Sequence, residues 1–86
     1  DWELAQNNTR LLRKVKLYQF KEPMELANII ARLSDEQWHH PELHIGFNHL
    51  DIEIWTHKIN GLVESDFIFA AKVDHLIDEF KDRTSS

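Results

Sequence analysis

Three histidines in two short stretches are the side chains best suited to chemistry: His39 and His40, followed by Pro41, and His57, which follows Thr56. Imidazole takes or gives a proton near neutral pH, so histidines brought together make a proton-transfer site without a metal or a nucleophile. His39 and His40 follow an expected helix end, where the partial negative charge of the last carbonyls favours the imidazolium form. Asp66, near the start of a second helix, can orient one of these rings through a hydrogen bond. His49 and His75 read as solvated surface residues. Zinc is the rival chemistry, and His40 with His44 has a spacing some sites use. If residues 43–47 form a strand, however, His44 points away from the apolar face, and its direction relative to His40 is not helical. A carboxylate ligand and supporting shell would still be needed, so no metal is expected. Ser34 and Ser65 lack the elbow motif of a serine nucleophile. Cysteine is absent, which removes thiolate chemistry and disulfides.

For the histidines to converge, the chain between them must double back. Leu43, Ile45 and Phe47 alternate, and so do Leu50, Ile52 and Ile54, which predicts a β-hairpin with Asn48-His49 as its turn. Phe47 then faces Leu50, Ile45 faces Ile52 and Leu43 faces Ile54, with His44 opposite Glu53 and Gly46 opposite Asp51. A slip of one residue would turn every apolar side chain to the wrong face. Asn48 tolerates the left-handed backbone that such a turn uses. The hairpin's second strand ends just before His57 and returns it to the edge that His39 and His40 occupy.

The other elements frame this hairpin. Trp2 to Ala5 reads as a short strand, Gln6 to Thr9 as a polar turn, and Arg10 to Tyr18 as an antiparallel strand with Leu11, Val15, Leu17 and Phe20 as its apolar positions. Pro23 suits a helix's first turn, and Met24, Ala27, Ile30 and Ala31, widened by Leu26 and Ile29, carry that helix to about Gln37. Pro41 forces His40 out of the helical region. A second helix runs from about Val63 to Phe80, with Phe67, Ala70, Ala71, Val73, Ile77 and Phe80 towards the core and Phe69 and Leu76 off that stripe. Residues 81–86 are expected to fray. Trp2, Trp38 and Trp55 read as core or rim residues, with Trp55 on the opposite sheet face as a candidate for subunit packing or an exposed aromatic contact. The predicted class is α+β: a four-stranded antiparallel sheet with two long helices packed on one face.

A chain of 86 residues is expected to be one domain spanning residues 1–86, burying only about 60–65% of its unfolded surface. Oligomerisation is then the natural source of extra stability. The net charge of −5 and the lack of a basic stripe oppose direct nucleic-acid binding. No apolar run is long enough to span a bilayer, and no signal-peptide pattern opens the chain. The expected location is cytoplasmic, although the start at Asp1-Trp2 leaves room for a removed N-terminal segment.

Asp35-x-x-x-His39-His40-Pro41, the hairpin with its central Asn48, Thr56-His57, Gly61-Leu62 and Asp66 together resemble the signature of the pterin-4a-carbinolamine dehydratases. A histidine seventeen residues after the His-His pair and an aspartate nine further on make the match specific, and Trp2 and the apolar strand positions extend it along the chain. The resemblance implies dehydration of 4a-hydroxytetrahydrobiopterin to quinonoid dihydrobiopterin, in regeneration of the tetrahydrobiopterin cofactor of aromatic amino acid hydroxylases. Pterin is then the substrate, and no cofactor is implied. His39 and His57 would be the acid/base pair and His40 would chiefly position substrate, supported by Asp66 and Asp35, with Pro41, Thr56 and Trp2 also at the substrate. The family also implies homodimers or homotetramers. Through members that act as dimerisation cofactors of a homeodomain transcription factor, it implies a second, interaction role with a transcription-factor partner and a nuclear location. Two departures stand out. Val63 replaces the Ser or Thr that caps the last helix, which leaves the cap to Ser65 or to water and puts pressure on Asp66. The extra N-terminal helix of animal members is not seen in these residues.

Overall fold

The computed structural model describes residues 1–84, in the order β1 (Glu3–Ala5), β2 (Arg10–Lys16), α1 (Glu22–Gln37), β3 (Glu42–Ile45), β4 (His49–Ile54) and α2 (Glu64–Thr84). The strands form one antiparallel sheet in the order β1-β2-β4-β3. Both helices cover the same face, closing a core of Leu11, Val15 and Leu17 from β2 and its exit, Leu50, Ile52 and Ile54 from β4, Leu26 and Ile30 from α1, and Phe69, Val73, Ile77 and Phe80 from α2. This is the expected α+β architecture. Among the described residues no helix is long and apolar enough to cross a membrane.

The turn between β1 and β2 uses three consecutive residues with positive φ, Gln6, Asn7 and Asn8. Asparagine tolerates this region better than most side chains, and the Thr9 hydroxyl and amide both donate to the Gln6 carbonyl. At the start of α1, Pro23 lies in the first turn and Glu22 is buried. The Glu22 carboxylate reaches back to accept the amides of Tyr18 and Gln19, both at 2.9 Å.

The hairpin pairs two residues out of the expected register. Leu43 faces Ile52, Ile45 faces Leu50 and His44 faces Asp51, and the Gly46 amide donates to the His49 carbonyl at 2.9 Å. The loop is therefore Phe47-Asn48 rather than Asn48-His49. Because side chains alternate with a period of two, a slip of two keeps Leu43, Ile45, Leu50, Ile52 and Ile54 on the same face and displaces only Phe47, into the loop. What selects the observed register is backbone demand. The Leu17 amide of β2 donates to the Asn48 carbonyl, and the His49 ring lies over Gly46, where a Cβ would come within 2.1 Å of its Nε2. Phe47 is left exposed, and Asn48 does not take the left-handed backbone expected of it.

The apolar stripes also shift. Phe20 and Met24 are exposed, since β2 ends at Lys16 and the chain turns before α1. On α2, Phe67 is exposed while Phe69 is buried, and Asp66 takes a fully buried position instead. Asp66, Phe69, Ala70, Val73, Ile77 and Phe80 keep helical spacing, so the true stripe is one residue out of phase with Phe67. Helix α2 extends past Phe80 to Thr84, into the stretch expected to fray, and Ser85 and Ser86 lie outside the described residues.

At its C-terminus α1 stops on Trp38, whose φ of 52° and ψ of 40° are left-handed. The Trp38 and His39 amides both donate to the Ser34 carbonyl, a Schellman-type closure in which the left-handed position ordinarily favours glycine. For an L side chain this backbone costs about 1–2 kcal/mol.

Leu50 is fully buried at the centre of the sheet. We expect Leu50→Ala to destabilise the chain by about 2–5 kcal/mol, read as a lowered midpoint in urea unfolding with the slope unchanged.

Candidate active site

The hairpin and the end of α1 bring the expected histidines to one place. His39, His40 and His57 line a single open cleft of about 340 Å³, together with Trp38, Trp55, Thr56 and Ser65. Three chain segments supply these walls: the exit of α1, the exit of β4 and the start of α2.

Asp66 ties the three together. Its side chain is fully buried; one carboxylate oxygen meets His39 Nε2 at 2.6 Å, and the other accepts from the Thr56 hydroxyl at 2.7 Å and the Val63 amide at 2.8 Å. A carboxylate only accepts, so the His39 proton facing it sits on Nε2 and Nδ1 is left as the second ring atom. The Val63 contact also answers the missing helix cap. Asp66 stands three residues after Val63 and bonds its amide, the half of a capping box that does not need a hydroxyl at the cap. Ser65 is not needed for it. Phe69, one turn on, stacks against the His39 ring with centroids 4.9 Å apart and planes 23° apart, so a carboxylate and an aromatic face fix that imidazole together.

His57 is held differently. It follows β4 in a tight loop where Thr56 and Gly61 pair and Asn60 takes a positive φ. Its ring stacks on Trp55, 4.3 Å between centroids and 7° from parallel. The Arg10 guanidinium sits 4.0 Å from the Trp55 ring centre and donates to the Asn60 side chain at 2.7 Å. Arg10, Trp55 and Asn60 thus brace His57 through contacts that also stabilise the loop. His40 is exposed, with its Nε2 3.2 Å from Asp35; Asp35 therefore touches His40 rather than His39.

Two residues expected at the substrate are not among those lining the cleft in this chain. Trp2 does not reach the cleft, because β1 is the sheet edge opposite β3; its indole N–H donates to Asp74 at 2.8 Å, beside Arg13, and it lines a separate groove with Leu4, Leu11 and Phe67. Pro41 is half-buried and is not among the cleft-lining residues. Conversely, the roles of Trp38, Arg10 and Phe69 at the cleft escaped the sequence. Only the position of Trp38 next to His39 signalled it. Outside the cleft, Glu42, His44 and Glu53 on the outward sheet face hold ligand atoms within 4.8 Å of one another, and His40 takes no part in that group.

A family model described as pterin 4 alpha carbinolamine dehydratase matches residues 1–76. The chain belongs to this family. A Rickettsia bellii protein provisionally named a pterin-4-alpha-carbinolamine dehydratase is 47% identical over 76 residues, which is 88% of this chain and 66% of that protein. The Arabidopsis thaliana mitochondrial pterin-4-alpha-carbinolamine dehydratase 2 is 41% identical over 78 residues, 87% of this chain and 42% of its own length. The chain thus spans just under two thirds or less of these relatives. Among solved structures, a transcriptional coactivator/pterin dehydratase from Brucella melitensis superposes with a TM-score of 0.80 at 25% identity, over 88% of this chain and 81% of its own. A pterin dehydratase-like RuBisCO assembly factor of the α-carboxysome matches at a TM-score of 0.74 and 22% identity, over 88% of each chain, a likeness of fold alone. The family's fold is therefore the fold observed.

Replacing Asp66 with Asn keeps its volume but turns an N–H₂ towards groups that already donate. We expect Asp66→Asn to destabilise the chain by about 1–3 kcal/mol, measured by urea unfolding.

Proposed function

We propose that this chain is a hydro-lyase that dehydrates 4a-hydroxytetrahydrobiopterin to quinonoid dihydrobiopterin and water, in tetrahydrobiopterin regeneration. The observation that carries the reading is the convergence of His39, His40 and His57 on one cleft, with His39 locked to the buried Asp66, in a chain of the dehydratase family.

The reaction breaks the bond from the carbinol carbon to its hydroxyl, removes the proton of the adjacent ring nitrogen and forms a carbon–nitrogen double bond. It needs an acid for the departing hydroxyl and a base for the nitrogen proton. We assign the base to His39. With Nε2 donating to Asp66, Nδ1 is the atom that accepts a proton, and the carboxylate stabilises the imidazolium that forms. His57 is the acid, its ring held by the Trp55 stack. His40 positions the pterin, with Asp35 at its Nε2, and Thr56 is shared between the cleft wall and Asp66. Pterin is the substrate, and the proposed steps call on no further cofactor or metal.

A second reading, a protein-interaction role, draws on Val63, Phe67 and Ile68, which leave apolar surface exposed at the start of α2. It uses none of the histidines.

A dehydratase assay on a 4a-hydroxytetrahydropterin distinguishes the two. We expect His39→Ala and His57→Ala each to lose about a hundredfold or more in kcat. Unchanged turnover in both variants refutes the site assignment, and an unmodified chain without activity favours the interaction reading.

A further inference from the structure

Trp38 is held in an unfavourable backbone conformation and gains no visible packing in return. It occupies the left-handed position that closes α1, where glycine would meet no strain. Its residue surface is 87% exposed, and its indole has no hydrogen-bond or ring partner among the described residues. The other two tryptophans are satisfied: Trp2 donates to Asp74, and Trp55 stacks with His57 near Arg10. A strained, exposed aromatic residue beside a cleft is an outlier from which function can be argued.

Its surroundings narrow what it could meet. Trp38 lines the cleft from the end of α1 while Trp55 lines it from the exit of β4, and the other lining residues are His39, His40, Thr56, His57 and Ser65, all polar. Along the chain its exposed neighbours from Asp35 to Gln37 are polar as well. A macromolecular interface wants a contiguous apolar patch with a desolvated centre, which two indoles on different walls among polar groups do not supply. A flat ring bearing polar edges suits it better, because the indole takes the face while histidine and hydroxyl groups take the edge. The cleft, about 340 Å³, lies at the small-molecule end of binding-site sizes, about 300–1,000 Å³.

We propose that Trp38 is the aromatic wall of the cleft, stacking on the face of the bound pterin and setting the affinity for its flattened, fused bicyclic ring. This rests on the pterin reading above and adds to it a ligand-contacting residue. The backbone strain at Trp38 is the cost of placing an indole where the closure of α1 alone calls for glycine.

The test is equilibrium binding of 7,8-dihydrobiopterin, a flat pterin with no 4a-hydroxyl to lose, followed by titration calorimetry on the unmodified chain, Trp38→Gly and Trp38→Phe. Stacking of a heteroaromatic ring on an aromatic side chain supports an expected loss of about tenfold in affinity for Trp38→Gly, with Trp38→Phe keeping most of the binding. The urea midpoint of Trp38→Gly should equal or exceed that of the unmodified chain, since glycine relieves the strain. Equal affinity in Trp38→Gly overturns the inference and leaves the pterin reading standing. A lowered midpoint, or a changed assembly mass with unchanged affinity, also overturns it, by making Trp38 a structural or interface residue. Failure of the unmodified chain to bind overturns the pterin reading itself, and this inference with it. Binding without turnover supports the wall while refuting the proposed reaction.

Discussion

The buried carboxylate of Asp66 is the contact on which the geometry of the cleft depends. An unpaired charge in the core would be strongly unfavourable, and this one is accommodated because its two oxygens accept from His39, Thr56 and the Val63 amide. Those donors come from three segments: the exit of α1, the exit of β4 some seventeen residues later, and the residue just before α2. One side chain therefore closes a helix cap, pins a hydroxyl on the cleft wall and sets the tautomer of an imidazole. Displacing any of these segments would leave a polar group buried without a partner. Among the described residues no buried side-chain nitrogen or oxygen lacks one.

The start of α1 uses a related device. Glu22 is buried there and accepts the Tyr18 and Gln19 amides, as Asp66 accepts that of Val63 at the start of α2. Each helix is thus tied by a carboxylate near its N-terminus, where negative charge is favourable, to backbone that leads into it. The device at α1 fixes how β2 hands over to the helix. Its counterpart at α2 does the same after β4, and because His39 lies within reach, it also becomes part of the cleft.

The two histidines assigned to proton transfer are held by opposite means. His39 is largely buried between a carboxylate and the Phe69 ring, while His57 stands on an exposed loop, stacked on Trp55 with Arg10 close by. A hydrogen bond fixes both the position and the tautomer of a ring, whereas a stack fixes its plane and leaves both nitrogens available. That difference matches a division between one ring whose proton-accepting atom is set in advance and another that can meet the ligand with either nitrogen.

Alternation in β2 and β4, the proline at the start of α1 and the spacing of His39, His40, His57 and Asp66 were enough to read the order of elements, the α+β class and the family from the sequence. Those signals are local, carried by periodicity and by motif residues whose separation along the chain is fixed. The hairpin register was not legible, because Leu43, Ile45, Leu50, Ile52 and Ile54 keep the same faces after a slip of two. The choice fell to Asn48, whose carbonyl is taken by the Leu17 amide of a strand distant in sequence. The phase of α2 was misread at Phe67 because a buried aspartate fills the stripe position that hydrophobicity would give to an apolar side chain. Likewise Trp2 shares the motif but sits at the far sheet edge, and Trp38 carries no motif but lies in the cleft. The sequence determined which residues could do chemistry and roughly how the chain returns to join them. Only the tertiary structure decided which carboxylate meets which imidazole, because that depends on three segments packing around one buried charge.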